Sequence, residues 1–341
     1  MSVRLKRTAA AVLAPSGVLR LGGAAKALAH GQLLLLGYHR VMPIDARHAG
    51  DLELISATPA EFAWQMDYLR RHFEPVTFGQ VADALDGNGK LPKRAVAVTF
   101  DDGFSDLHEH ALPVLRQLEM PATVFVSTGY VDRPQPFWFD LVAWLIMQAP
   151  PGSIRLAAYA ESLPSGATEA ERRASVARIL KWLKSSHETV RGAAVAEICA
   201  QFPGAVQAGR TVLGRALTWD EIREMAARGV EFGSHTVSHC CLTKISSEQL
   251  DDELVSSKRR LEQEIGKPVS ALAYPFGGHA AFNNEVIAAA RRAGYRIATS
   301  YVPGVNDLRS ADRFALLRQH VERTTNRSYF EAIVNVPELF D

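Results

Sequence analysis

Residues 95–103, Ala-Val-Ala-Val-Thr-Phe-Asp-Asp-Gly, decide how this chain is to be read. An apolar, β-type run delivers two adjacent carboxylates, Asp101 and Asp102, to its carboxyl end. In parallel sheets and barrels that end is where loops converge on a ligand. Two neighbouring carboxylates are not buried together without a cation or a shared proton. The plain alternative is a strand followed by an Asp-Asp-Gly turn, since both residue types favour turns.

Two further stretches repeat the pattern of a β-type run ending in chemistry-bearing residues. Val230-Glu231-Phe232-Gly233-Ser234-His235-Thr236-Val237-Ser238-His239 ends in two histidines with three residues between them. A tight loop or one helical turn would let both imidazoles face one ion. Imidazole and carboxylate suit Zn²⁺ or a similar first-row ion, and a catalytic site of this kind uses three protein ligands and leaves one position open. Alone, such a pair is a surface or capping feature. Ala271-Leu272-Ala273-Tyr274-Pro275-Phe276-Gly277-Gly278 is the third, a strand running into a Pro/Gly turn.

In order and spacing, Thr-Phe-Asp-Asp-Gly, His-Thr-x-x-His and Tyr-Pro-Phe-Gly resemble the polysaccharide deacetylases with a NodB homology domain, carbohydrate esterase family four. The resemblance covers roughly residues 33–130 and 215–325. It implies Asp101 as catalytic base, Asp102, His235 and His239 as metal ligands, and the backbone N–H of Phe276 as an oxyanion donor. The implied cofactor is one divalent ion, Zn²⁺ by default, with Co²⁺, Ni²⁺ or Fe²⁺ compatible with the same ligands. An ion held by one carboxylate and two neutral imidazoles keeps net positive charge, which acidifies water and polarises an amide carbonyl.

The chain departs from the family pattern twice. Where an Arg usually orients the base, the residue is Ala273, so Asp101 must be oriented by a group that these motifs do not identify. The usual Leu-x-His strand near the C-terminus, carrying the general acid, is poorly matched by Leu316-Leu317-Arg318-Gln319-His320-Val321. A better match lies at the other end, in Leu33-Leu34-Leu35-Leu36-Gly37-Tyr38-His39-Arg40-Val41. This order is similar to the circularly permuted poly-β-1,6-N-acetylglucosamine deacetylases, which implies His39 as the general acid, with His320 the lesser contender.

The intervening sequence alternates strands and helices, which implies a parallel sheet or barrel. Thr58-Pro59-Ala60-Glu61 is a capping box with Pro at the first helical position, and Phe62, Met66, Leu69 and Phe73 follow at helical spacing. Helices are also expected over 106–119, 219–228, 246–265 and 283–293, with closing strands over 296–300 and 314–317. The expected fold is α/β, an irregular (β/α) barrel of the polysaccharide deacetylase type, circularly permuted, occupying 31–325. Residues from about 130 to 215 read as a helical insertion, 1–30 as a basic leader and 326–341 as a C-terminal tail. Phe137-Trp138-Phe139-Asp140 would either wall a sugar site by stacking or anchor the insertion.

With 341 residues the chain can bury a barrel core, and a formal charge of +1 gives no field for nucleic acid. A neutral glycan is the expected partner. Cys199, Cys240 and Cys241 are odd in number and two are adjacent, which argues against a disulfide framework. The first 30 residues carry Arg4, Lys6, Arg7, Arg20 and Lys26 without an acid, but the apolar run 9–14 stops at Pro15-Ser16-Gly17. That is not a convincing export signal. The expected location is the cytoplasm or the cytoplasmic membrane surface, with peripheral contact through the leader. The expected activity is metal-dependent hydrolysis of N-acetyl groups on a glycan, releasing acetate. The alternatives are an O-acetyl esterase or deformylase on a lipid-linked sugar, or a non-catalytic glycan-binding member of the fold.

Overall fold

The apolar runs form the strands of one sheet in a computed structural model, which describes residues 6, 8–11, 32–44, 50–133, 135–159 and 166–340. Most of the leader expected over 1–30 therefore lies outside the described residues. The sheet contains β1 (Gln32–Tyr38), β4 (Glu74–Pro75), β5 (Ala95–Phe100), β6 (Ala122–Val126), β7 (Glu231–Ser234), β8 (Ala271–Ala273), β9 (Ile297–Thr299), β10 (Asn306–Asp307) and β11 (Gln319–His320). Its main path runs β10-β1-β5-β6-β7-β8-β9, and every neighbouring pair except β1 with β10 is parallel. A small pair, β2 (Arg40–Val41) with β3 (Ile55–Ala57), lies beside it.

The segment around 316–320 links β9, at one end of this path, to β1, next to the other end. Leu316 bridges Thr299 beside β9, and Gln319 and His320 pair with Leu36 and Gly37 of β1. The sheet is therefore curled into a barrel whose first strand in sequence lies between β5 and the last strand. A curled parallel sheet of this kind is buried on both faces, which is why β1, β5 and β6 read as near-continuous apolar runs. The inner face is packed with Leu33, Leu35, Ala97, Phe125, Ala271, Ala273, Ile297 and Leu316.

Helices cover the outer face. They include α1 (Pro59–His72), α2 (Phe78–Leu85), α3 (Leu112–Gln117), and later α8 (Trp219–Ala227), α9 (Ser247–Ile265) and α10 (Asn284–Arg292). Capping boxes start α1 at Thr58, α2 at Thr77, α8 at Thr218 and α9 at Ser246. The regular helix expected over 106–119 is instead a π-type turn, Leu107–Ala111, followed by α3. Pro113 has no N–H to close the ordinary bond to Glu109, and the turn widens just ahead of it.

Between β6 and α8 lie α4 (Trp138–Gln148), α5 (Glu169–Ser185), α6 (Glu188–Gln201) and α7 (Pro203–Val212), with a second core of their own around Phe139, Leu145, Ile179, Leu183 and Ile198. Buried Arg40 ties them to the barrel. Its Nε donates to Asp106 at 2.8 Å and its Nη1 to Asp140 at 3.2 Å, while the guanidinium lies 4.4 Å from the Phe104 ring centroid. Residues 326–341, expected as a tail, contain α11 (Arg327–Asn335), whose Phe330 and Ile333 are buried in the main core. Among the described residues no helix is long and apolar enough to cross a membrane.

Candidate active site

Register places the acidic pair and the first histidine together. Tyr38 is paired with Phe100, and the Asp101 N–H donates to the Tyr38 carbonyl at 2.9 Å, so His39 and Asp101 leave neighbouring strands side by side. Val126 is paired with Ser234, and the His235 N–H donates to the Val126 carbonyl at 2.9 Å. The carboxyl ends of β1, β5, β7 and β8 thus deliver His39, Asp101, Asp102, His235 and Tyr274 to one cavity of about 220 Å³, which His239 and Phe276 also line.

Asp102, His235 and His239 form a group able to hold a metal ion, with ligand atoms all within 4.8 Å of one another. Asp102 Oδ1 lies 3.1 Å from Nε2 of His239 and 3.6 Å from Nε2 of His235. His235 Nδ1 donates to the Ala273 carbonyl at 2.8 Å, which leaves Nε2 as the acceptor facing Asp102. Both Asp102 oxygens are buried and take no hydrogen bond. A buried carboxylate with no donor is costly unless a cation completes it, so the donor set fits a divalent ion. Burial raises the Asp102 carboxyl above its ordinary range, and burial together with the charges of Arg191 and Lys184 lowers His239 to about 3. Desolvation by burial also lowers His235, which favours the neutral, ligating form of both imidazoles.

Four of the seven described non-glycine residues with positive φ stand at this site. Asp102, Thr236, His239 and Phe276 all have positive φ, at 70°, 68°, 55° and 64°. Non-glycine residues in the left-handed region cost on the order of 1–3 kcal/mol each and persist where the surroundings over-determine them. At Phe276 this conformation leaves an N–H that no acceptor takes among the described residues.

Asp101 is held by a residue the motifs did not identify. Arg318, fully buried, donates from Nη1 to Oδ1 at 2.7 Å and from Nη2 to Oδ2 at 2.8 Å. Its Nε donates to the Ser300 carbonyl at 2.7 Å, and Nη1 also reaches Thr99 Oγ1 at 3.2 Å. Burial alone would raise the Asp101 carboxyl; the Arg318 and His235 charges and the Arg318 hydrogen bonds hold it well below the usual carboxylate range. Arg318 stands on the segment that joins the sheet edges, and Ala273 belongs to the same barrel interior, small enough to leave that space to a guanidinium. The signal was the parity of the strand, because Leu316 packs inside the barrel and residue i+2 takes the same face.

His39 is half-buried at the cavity wall. Its N–H donates to Ser56 Oγ at 2.9 Å, its Nδ1 lies 3.4 Å from the Tyr301 hydroxyl, and desolvation lowers the imidazole against the pull of Asp102 and Asp101. His320 is placed elsewhere: its ring stacks on Tyr301 at 3.7 Å, and Nε2 donates to the Tyr301 carbonyl at 2.8 Å. Cys240 is buried with its thiol pushed well up by desolvation, and it does not join the Asp-His-His group. Phe137, Trp138 and Phe139 are anchors of the second core, and of the three only Phe139 reaches the cavity, its ring edge-on to His239 at 5.1 Å. Lys184 of α5 is the one Lys or Arg lining this cavity among the described residues.

A curled parallel barrel with a buried Asp-His-His group and an adjacent Arg-held carboxylate at its carboxyl end defines a hydrolase of the metal-assisted type. A family model described as polysaccharide deacetylase matches residues 88–298, and the chain belongs to that family, whose members hydrolyse amide C–N bonds. It is similar to the poly-beta-1,6-N-acetyl-D-glucosamine N-deacetylase of Escherichia coli (strain K12), with 28% identity over 106 residues, which is 31% of this chain and 15% of that protein. Among solved structures it is similar to the Streptococcus pyogenes deacetylase PplD in complex with acetate, at TM-score 0.59 and 19% identity, covering 88% of this chain and 96% of that one. It is also similar to IcaB from Ammonifex degensii, at TM-score 0.56 and 20% identity, covering 89% and 96%.

Proposed function

We propose that this chain removes N-acetyl groups from hexosamine residues of a β-linked N-acetylglucosamine glycan, releasing acetate and leaving a free amine. The observation that carries the reading is the bidentate Arg318–Asp101 pair beside the buried, donor-free Asp102 and its two imidazoles, with His39 in the same cavity. The resemblance to a poly-beta-1,6-N-acetyl-D-glucosamine N-deacetylase supports the substrate class.

The roles follow from the surroundings of each group. Asp101 stays ionised because of Arg318 and is aimed by two parallel hydrogen bonds, so it accepts the proton of the attacking water. His39 gives a proton to the departing amine nitrogen as the amide C–N bond breaks. The Phe276 N–H stabilises charge developing on the acyl oxygen. Asp102, His235 and His239 would hold the divalent ion, Zn²⁺ by default, which supplies Lewis acidity toward the acyl oxygen and acidifies water. The balance is amide plus water to amine plus acetate.

The test is acetate release from β-1,6-linked and β-1,4-linked N-acetylglucosamine oligomers, by chelator-stripped protein before and after reloading with Zn²⁺, Co²⁺ or Ni²⁺. Metal-dependent release, greater on the β-1,6 series, is the expected result. Metal binding without release from either series would overturn the reading.

A further inference from the structure

The base of this site has a charged partner and the histidine across from it does not. Among the described residues no carboxylate oxygen lies within 4 Å of a His39 ring nitrogen, and the group that meets Nδ1 is the hydroxyl of Tyr301, at 3.4 Å with the rings edge to face. Tyr301 is seated with little freedom. Its N–H donates to the Gly277 carbonyl at 2.7 Å, His320 stacks on one face, and the Arg318 guanidinium lies 5.1 Å from the ring centroid. Two glycines make room for it. A Cβ at Gly37 would come within 2.9 Å of Tyr301 Cε2, and one at Gly277 within 2.4 Å of Tyr301 Cβ. Residues from β1, the turn after β8 and the closing segment thus converge on one phenol whose hydroxyl ends at His39.

We propose that Tyr301 is the positioning residue of His39, holding Nδ1 through its hydroxyl so that Nε2 is the nitrogen that exchanges a proton with the departing amine. The inference rests on His39 being the acid of the proposed function. A phenol suits the task because its oxygen is a neutral acceptor for Nδ1–H. Nδ1 keeps its proton while Nε2 gives up and regains its own, so the phenol oxygen accepts from Nδ1–H in the imidazolium and in the neutral ring alike. The ring is therefore held in one orientation through both protonation states, without a second negative charge near the metal ligands. Hydrogen bonds of this kind are often long in the absence of substrate and shorten in the reacting complex.

Tyr301→Phe removes the hydroxyl and keeps the stacked ring. In the full chain loaded with Zn²⁺, kcat on an N-acetylglucosamine oligomer should fall on the order of tenfold or more, part of the roughly 10²–10⁴ that a general acid supplies. KM and metal content should not change. Hydrolysis of 4-nitrophenyl acetate, whose leaving group departs unprotonated, should be preserved in both Tyr301→Phe and His39→Ala. Tyr301→Phe placed on His39→Ala should cost nothing more, and the ring-nitrogen NMR shifts of His39 should move in Tyr301→Phe. Equal loss on amide and ester, losses that multiply with those of His39→Ala, or full amide turnover would each overturn the proposal. If His39→Ala itself turns over the amide normally, the acid assignment fails first; a damaged His39→Ala beside an intact Tyr301→Phe removes only Tyr301.

Discussion

The two flanks of the cavity are built on opposite plans. On one, Asp101 is gripped by Arg318 through two hydrogen bonds of 2.7 and 2.8 Å, with both partners buried and the carboxyl held well below its usual range. On the other, half-buried His39 meets a neutral hydroxyl at 3.4 Å. The difference fits the roles proposed for the two groups. A base that must be anionic before substrate arrives gains from a fixed charge and a planar fork, which gives direction as well as energy. A group that must carry a proton and then lose it is better served by a partner indifferent to its charge.

Substitutions that break this contrast should separate by size. The largest effect is expected where the two flanks share a neighbour. His235→Ala or Asp102→Asn should lose the bound ion, read by elemental mass spectrometry after dialysis, and with it acetate release to background. Next comes His39→Ala, with kcat on the amide lower by about 10²–10⁴ and metal content unchanged. Arg318→Lys keeps a charge and loses the fork. Misplacement of Asp101 by a fraction of an ångström should lower kcat by on the order of 10²-fold, with amide and ester substrates falling together because both need the base. That equal fall would sharpen the contrast with the His39 flank, where only the amide should suffer.

The smallest effect on chemistry is expected from Arg40, another buried arginine. Arg40 pairs with Asp106 and Asp140 away from the reacting groups and joins the second core to the barrel. Arg40→Met leaves two carboxylates buried without their cation, and denaturant unfolding should show a loss of about 3–5 kcal/mol. Residual folded protein should retain its metal. If Arg40→Met instead abolished metal binding with stability intact, the division between architectural and catalytic arginines would be wrong.

The parts legible in the sequence were those whose signal is local. Asp101, Asp102, His235, His239 and Phe276 each end a β-type run, and parallel register brings strand ends together, so their convergence follows from the fold. His39 was legible for the same reason. Arg318 was not, because it stands 217 residues from Asp101 and acts from inside the barrel, where a charged residue resembles a break in an apolar strand. Tyr301 lies just beyond β9 in a sequence with no motif, and its place depends on the absence of side chains at Gly37 and Gly277. The aromatics at 137–139 are open between wall and anchor in the sequence; all three rings are buried in the second core, packed on one another and on Tyr130, and only Phe139 also borders the cavity.

The most direct test of the central claim, that Asp101 is a base held apart from the metal group, is acetate release by Asp101→Asn with the metal content of the same sample measured. Near-stoichiometric ion, as in the unsubstituted protein, and turnover lower by about 10²–10⁴ are expected. Turnover close to that of the unsubstituted protein with metal retained would contradict that claim, as would loss of the ion, which would make Asp101 a ligand instead.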